Sequence, residues 1–472
     1  MTDTEAPAAP TGTDSDALVP EPADTTPGTD IALRWAGART AVVYAEPRHI
    51  VGLLDDMPRK ASWVRAAIFP TLMVLAAVAI YAGVTLFWPL TSVMPTTASV
   101  EVAPLTAAAA APAWPSDGSA AVAVTGFEST GENGTVSSTG EASPIASITK
   151  LVTALMVLDR LPLAVGESGP DYWFTSSDSY AYYNALARGE SALPVPVGQS
   201  LSEYQMLEAV LVGSANNYAQ RMADQFWPTD AVFASAARSW LATHGISGVT
   251  VVEPTGIDEN NTATPTGVIA LAEKAMENPV IAQIVAQPAV DLPGVGVVTS
   301  TNDLIADPGV VGVKTGTLAV SGREINDLVV ARDFTVGDTV IRGYATVLGE
   351  PSDERRAEAG RALLAQLETE LATPYIVPAG TLVGTVETAW DETSPIRTTA
   401  DASVILWNGA SSTSTTSLDL DAGTDADAPA GTFTLSGPLD TMTVDAVVTT
   451  TIEGPSPWWR LTHPLELWGL VR

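Results

Sequence analysis

From Ala66 to Trp88 the chain runs for 23 residues without a single charge. As one helix this run spans ~34 Å, against a bilayer hydrocarbon core of ~30 Å. A buried core helix of that length would show a polar face, and this run has none. A removable leader is disfavoured by the long segment before it and by a run longer than an ordinary leader core. Residues 66–88 are therefore expected to be an uncleaved transmembrane helix. Removal at the small residues Ala107–Ala111 is the alternative.

The flanks give that helix a direction. Arg34, Arg39, Arg48, Arg59, Lys60 and Arg65 precede it, and no Lys or Arg follows from Ala66 to Thr149. Excess positive charge stays on the cytoplasmic side. Residues 34–65 then read as a cytoplasmic juxtamembrane segment, and everything after residue 90 as extracytoplasmic. The chain is thus expected to be a single-pass plasma-membrane protein with its N-terminus inside. Residues 1–33 carry seven acids and no base, the composition of a disordered acidic tail. Residues 91–117, rich in Ala, Pro, Thr and Ser, read as an extracytoplasmic linker.

Composition then removes several chemistries. Lys and Arg number 22 against 54 Asp and Glu, a net charge of −32, which repels a phosphate backbone and argues against nucleic acid as a partner. With no cysteine, disulfides, thiol catalysis and Cys-ligated metals are excluded. The three histidines are His49, His244 and His463. The first precedes the span and the last lies near the C-terminus. A multi-histidine zinc site is disfavoured, and a Ser-His-Asp triad would rest on His244 alone. No cofactor is expected.

Lysine is scarce: Lys60, Lys150, Lys274 and Lys314. Two of these sit in short patterns with chemical meaning. In Ser147-Ile-Thr-Lys150, which opens the apolar stretch Leu151–Leu158, residues three apart share a helical face. The hydroxyl and amine can meet, and a desolvated lysine of lowered pKa can take the serine proton. A helix cap beside a solvated lysine is the common alternative for such a pair. Ser214-Ala-Asn216 follows a helical stretch, Leu201–Leu211, and lies in a polar turn after Gly213. Val311-Gly-Val-Lys314-Thr315-Gly316-Thr317 alternates as a strand, with a glycine that lets a substrate backbone approach.

Each pattern is weak alone, but the three follow one another at spacings of 67 and 100 residues. In that order they resemble the serine D-alanyl-D-alanine carboxypeptidases, the low-molecular-mass penicillin-binding proteins of peptidase family S11. Glu253-Pro-Thr-Gly256, Thr264–Ala272 and Asn302-Asp-Leu extend the resemblance, which covers residues 118–372. Leu318 stands where many members carry a second hydroxyl, and Thr301 where some carry arginine.

The resemblance implies an α/β fold of the penicillin-binding-protein/β-lactamase type: an antiparallel sheet flanked by helices, plus an all-helical lobe. It implies that Ser147 is acylated, that Lys150 is the base and that Ser214 relays the proton. Lys314 would help keep Lys150 neutral. It further implies that Asn216, Lys314, Thr315, Gly316 and Thr317 bind the substrate. The backbone N–H groups of Ser147 and Thr317 would form an oxyanion hole, worth ~3 kcal/mol per donor. Arg356 would support the carboxylate site. The substrate would be a peptidoglycan stem peptide losing its terminal D-alanine, and β-lactams would be covalent inhibitors. A β-lactamase, a DD-endopeptidase and a non-catalytic membrane-tethered wall-binding scaffold are the alternatives. Glu253 lacks the Glu-x-x-x-Asn setting in which class A β-lactamases activate water.

Four further features have plainer readings. The aromatics of Gly166–Gly198 either wall the cleft or fill a core. Asp419, Asp421, Asp425 and Asp427 lack the order of a calcium loop and read as an acidic turn. Residues 374–455 alternate Thr and Val between Gly, Asp and Pro turns, which predicts a small antiparallel β-domain. In the Trp-rich tail, 456–472, either the bilayer interface or the β-domain could take the rings.

Overall fold

The computed structural model describes residues 62–128, 134–420 and 425–471, with backbone alone at 62–65. The expectations for 1–33 and most of 34–65, and for Asp421, lie outside these residues. The chain divides into two compact units at Ala77 and Val78. That division falls within the helix Ser62–Phe87. Its Ala66–Phe87 portion is long and apolar enough to cross a membrane, and Ile68, Phe69, Leu72, Met73 and Leu75 stand exposed. Its hydroxyls turn inward: Thr71 Oγ1 donates to the Ala67 carbonyl at 2.7 Å and Thr85 Oγ1 to that of Tyr81 at 2.8 Å. Such back-bonding satisfies these two hydroxyls within the helix.

The second unit is built on two antiparallel sheets. The first has five strands in the order Val310–Val320, Arg323–Val336, Thr339–Glu350, Ser119–Val124 and Thr135–Ser137. Period-two alternation sends its side chains to two cores. Ala121, Ala123, Val329, Ala331 and Tyr344 face the helical lobe. Ala120, Val122, Leu328, Val330, Ala345 and Val347 share the other core with Leu363, Leu364 and Leu367 of the helix Asp353–Leu371.

At the centre of the lobe lies the helix Lys150–Arg160, buried from Lys150 to Leu158. Ser176–Ala187, Glu203–Leu211, Asn216–Asp224, Asp230–Thr243, Pro265–Glu277 and Pro279–Val285 surround it. Their starts are written in the sequence. Ser202 and Gln205 form a reciprocal capping box. Thr264 and Asn278 cap helices whose first residues are Pro265 and Pro279. The helix predicted from Leu201 begins at Glu203, because Ser200–Ser202 pairs as a strand with Asp171–Trp173.

The second sheet has six strands: Thr96–Ser99, Leu382–Glu387, Thr393–Thr398, Thr441–Val448, Pro429–Ser436 and Thr413–Leu418. Its first strand comes from the segment read as a linker. Thr96–Ser99 pairs with Gly384–Glu387, and the chain continues along the sheet, with the Ala107 N–H donating to the Ala410 carbonyl at 2.9 Å. Residues 91–117 are therefore not a free spacer. A Thr- and Val-bearing stretch beside an open sheet edge satisfies backbone groups on both sides by pairing.

Candidate active site

Ser147 lies in a single 3-10 turn, Ala146–Thr149, that runs straight into the helix Lys150–Arg160. Ala146 takes a left-handed conformation, φ 43°. Two glycines let neighbouring chain close on this turn. A Cβ on Gly256 would lie 1.8 Å from the Ala146 carbonyl oxygen, and one on Gly316 would lie 2.9 Å from the Ala146 Cβ. The Glu253–Asp258 turn and the strand Val310–Val320 thus meet at Ser147.

The Lys150 Nζ sits 2.6 Å from the Ser147 Oγ and donates to the Thr255 carbonyl at 2.6 Å. Lys150 is 0% exposed. Burial pulls its pKa from 10.5 down to about 7, against the opposing pull of Glu253 and then Glu190. Near neutral pH a large share of the amine is therefore uncharged and can accept the Ser147 proton.

Lys314 is 1% exposed and donates to the Ser214 Oγ at 3.1 Å and the Thr315 carbonyl at 2.9 Å. Its pKa is held well below the usual lysine value by burial first, then by the charges of Lys150 and Arg356. Desolvation is the first cause at both amines, and the two positive charges repel one another.

Ser214 occupies the turn after Gly213 in a left-handed conformation, φ 57°. Asn216 opens the next helix. Its Nδ2 donates to the Glu190 Oε2 at 3.2 Å, and its Oδ1 is buried without a partner among the described residues. Asn216, Glu190, Glu253 and Thr255 line one groove, with a volume of about 470 Å³.

On the strand, the Thr315 Oγ1 lies 2.6 Å from the Thr301 Oγ1, and the Thr317 Oγ1 donates to the Asn326 Oδ1 at 3.1 Å. Gly316 pairs with Asp327 on the neighbouring strand. Arg356 is buried, 4% exposed. Its Nη1 reaches the Gly316 carbonyl and the Thr317 Oγ1 at 3.5 Å each. It pairs with Asp353 at 2.8 Å and Asp303 at 3.3 Å.

Contacts thus bring Ser147, Lys150, Ser214, Lys314, Thr315, Gly316, Thr317 and Arg356 together where the serine turn meets the strand Val310–Val320. His244 is elsewhere. It stacks on Trp240 and lies 3.8 Å from Asp159, nine residues and ~13 Å along the helix from Lys150. Among the described residues no group of three His, Cys, Asp or Glu could hold a metal ion.

Sequence reasoning missed Glu190 and Asp327. Asp327 did leave a signal, as an acid inside a strand. Glu190 left none. The aromatics divide: Tyr172 and Phe174 are buried, while Trp173, Tyr180 and Tyr183 are exposed.

Residues 115–340, just under half of the chain, match the family described as D-alanyl-D-alanine carboxypeptidase. The D-alanyl-D-alanine carboxypeptidase DacB2 of Mycobacterium tuberculosis is 29% identical over 182 residues, covering 37% of this chain and 58% of that protein. A D-alanyl-D-alanine endopeptidase of Pseudomonas aeruginosa is 29% identical over 147 residues, covering 30% of this chain and 42% of that protein. The chain thus spans about half the length of these relatives. Among solved structures, penicillin binding protein 5 from Haemophilus influenzae aligns at 15% identity with a TM-score of 0.48, covering 73% of this chain and 100% of that one. The peptidoglycan synthesis regulatory factor PBP3 from Streptococcus pneumoniae aligns at 20% identity with a TM-score of 0.48, covering 71% of this chain and 99% of that one. The matched residues 115–340 hold all three motifs.

Proposed function

We propose that this chain is a membrane-anchored serine D-alanyl-D-alanine carboxypeptidase that removes the terminal D-alanine from peptidoglycan stem peptides. The observation that carries this reading is the 2.6 Å contact between the Ser147 hydroxyl and a buried Lys150 amine. The Ser147 Oγ attacks the carbonyl between the two D-alanines, and its proton passes to the Lys150 Nζ. The tetrahedral oxyanion sits against the backbone N–H groups of Ser147 and Thr317. Lys150 passes that proton through Ser214, held by Lys314, to the departing D-alanine nitrogen as the C–N bond breaks, and is neutral again. Thr315 takes the terminal carboxylate, with Arg356 behind it, and Asn216 takes the donor amide. Water, deprotonated by Lys150, then cleaves the acyl-Ser147 ester. A β-lactam would acylate the same oxygen and leave slowly.

The charge pattern supports a cytoplasmic N-terminus, a span at 66–88 and a cleft outside the membrane. One curated relative carries the name endopeptidase, so the assay includes a cross-linked muropeptide dimer. Mass spectrometry of purified muropeptides should show loss of one D-alanine, and labelled penicillin should mark the wild-type chain. Ser147→Ala should abolish labelling, and Lys150→Ala should lower it at least a hundredfold. Full labelling of both variants would remove the assignment.

A further inference from the structure

Glu253 is buried beside the site, yet no step above uses it. Its carboxylate is saturated. Oε2 accepts from the Thr255 N–H and the Thr255 Oγ1, both at 2.7 Å. Oε1 accepts from the Gly256 N–H at 2.6 Å, the Asn261 Nδ2 at 2.5 Å and the Asp258 N–H at 3.4 Å. A carboxylate with its lone pairs so committed has none to offer a hydrolytic water. What these bonds do is fold the turn. The folded turn points the Thr255 carbonyl at the Lys150 Nζ and the Pro254 carbonyl at the Thr153 Oγ1, at 2.6 and 2.7 Å. It also sets Gly256 against Ala146, and the Asn261 carbonyl accepts the Ile145 N–H at 3.0 Å.

We propose that Glu253 is a positioning residue, its carboxylate folding the turn that holds the Lys150 amine against Ser147. The proposal rests on the reading of Ser147 as the acylated nucleophile. Glu253 also acts through charge. The groups acting on Lys150 are Glu253 and Glu190, which favour its ammonium, and Lys314, which shares its repulsion. Removing the Glu253 charge makes Lys150 easier to deprotonate, so reaction begins at lower pH.

The test is the rate of acylation by a fluorescent penicillin between pH 5 and 9, on the full chain in detergent. In Glu253→Gln the acid limb of the profile should move down by about half a unit to one unit. The plateau should fall tenfold or more as the turn loosens. A limb that stays in place, at any plateau, reduces Glu253 to ordinary turn chemistry and overturns the proposal. Should Glu253→Gln fail to melt cooperatively, Glu253→Asp decides. It keeps the charge on a stem one methylene short, so a tenfold loss with an unmoved limb is expected, and a wild-type rate overturns the proposal. An unlabelled wild-type chain would instead remove the functional reading, so the two failures stay distinct.

Discussion

At the scale of single residues, the Ser-x-x-Lys spacing was enough to find the contact between Ser147 and Lys150. Ser147 and Lys150 are neighbours on one helical face, so their contact follows from chain geometry alone. The surroundings of Asp327 were beyond such reasoning, because they are assembled by sheet register. It is 0% exposed, opposite Gly316. Its Oδ1 accepts the Gly349 N–H at 2.8 Å, while its Oδ2 has no partner among the described residues. Burial pushes its pKa up to about 7, with the Gly349 N–H and Arg356 resisting. The unfolded carboxyl titrates near ~3.9. Between those values the native state holds a proton that the unfolded state has lost. Stability from this group is therefore full below pH ~4 and declines as pH rises towards about 7. The effect is on the order of 2–4 kcal/mol. Glu203 and Glu273, also raised to about 7 by burial, act in the same direction. Asp327→Asn should flatten the fall in melting temperature between pH 4.5 and 8 without lowering the value at pH 8. A variant as steep as wild type would show that Asp327 is charged in the native state.

At the scale of elements, the helices were legible and the joins between them were not. Caps mark the helices that begin at Glu203, Asp230, Pro265 and Pro279 from within their own few residues. The Glu253–Asp258 turn gets its meaning from Ala146, more than a hundred residues earlier, and no local pattern reports that contact. The strand Thr96–Ser99 was missed for a related reason. Four residues carry too little periodicity to separate a strand from a spacer, and the partner edge lies nearly three hundred residues later. Gly256 is where the join is tightest. Its φ of 87° is a left-handed conformation, and an added methyl group would lie 1.8 Å from the Ala146 oxygen. Gly256→Ala should therefore cost about 3 kcal/mol or more, from backbone strain and a displaced neighbour together. Because the displaced neighbour carries Ser147, penicillin acylation should fall further than melting temperature predicts. Thermal melting alongside labelling checks this. Labelling that tracked stability alone would mean the serine turn can move without loss.

For the whole molecule, the tail decides how the last turns of the apolar helix meet the rest of their unit. The sequence left open whether its tryptophans touch a bilayer or the β-domain. In the structure, Trp459 packs edge-on against Trp390 of the β-domain at 6.0 Å. Trp468 packs against Tyr81 and Trp88 at 6.5 and 6.1 Å. Arg460 Nη1 donates to the Leu86 and Trp88 carbonyls at 3.2 and 2.9 Å. A helix leaves its last carbonyls unpaired, and a cation there answers both their hydrogen-bonding need and the helix dipole. The Tyr81 hydroxyl donates to the Leu461 carbonyl at 2.7 Å. Tyr81 lies six residues before Phe87, so the tail reaches ~9 Å back along the helix. Trp458, 74% exposed, stands on the same short helix as Arg460. The tail thus clamps the helix end to the sheet that carries Thr96–Ser99. Combining Arg460→Ala with Trp468→Ala should release that clamp while leaving the cleft untouched. Chymotrypsin should then cut near Phe87 and Leu90 at least tenfold faster than in wild type, with penicillin labelling unchanged. Equal cutting rates would mean that the helix end is held by the Thr96–Ser99 strand alone, and that the aromatic tail is packing without consequence for the junction.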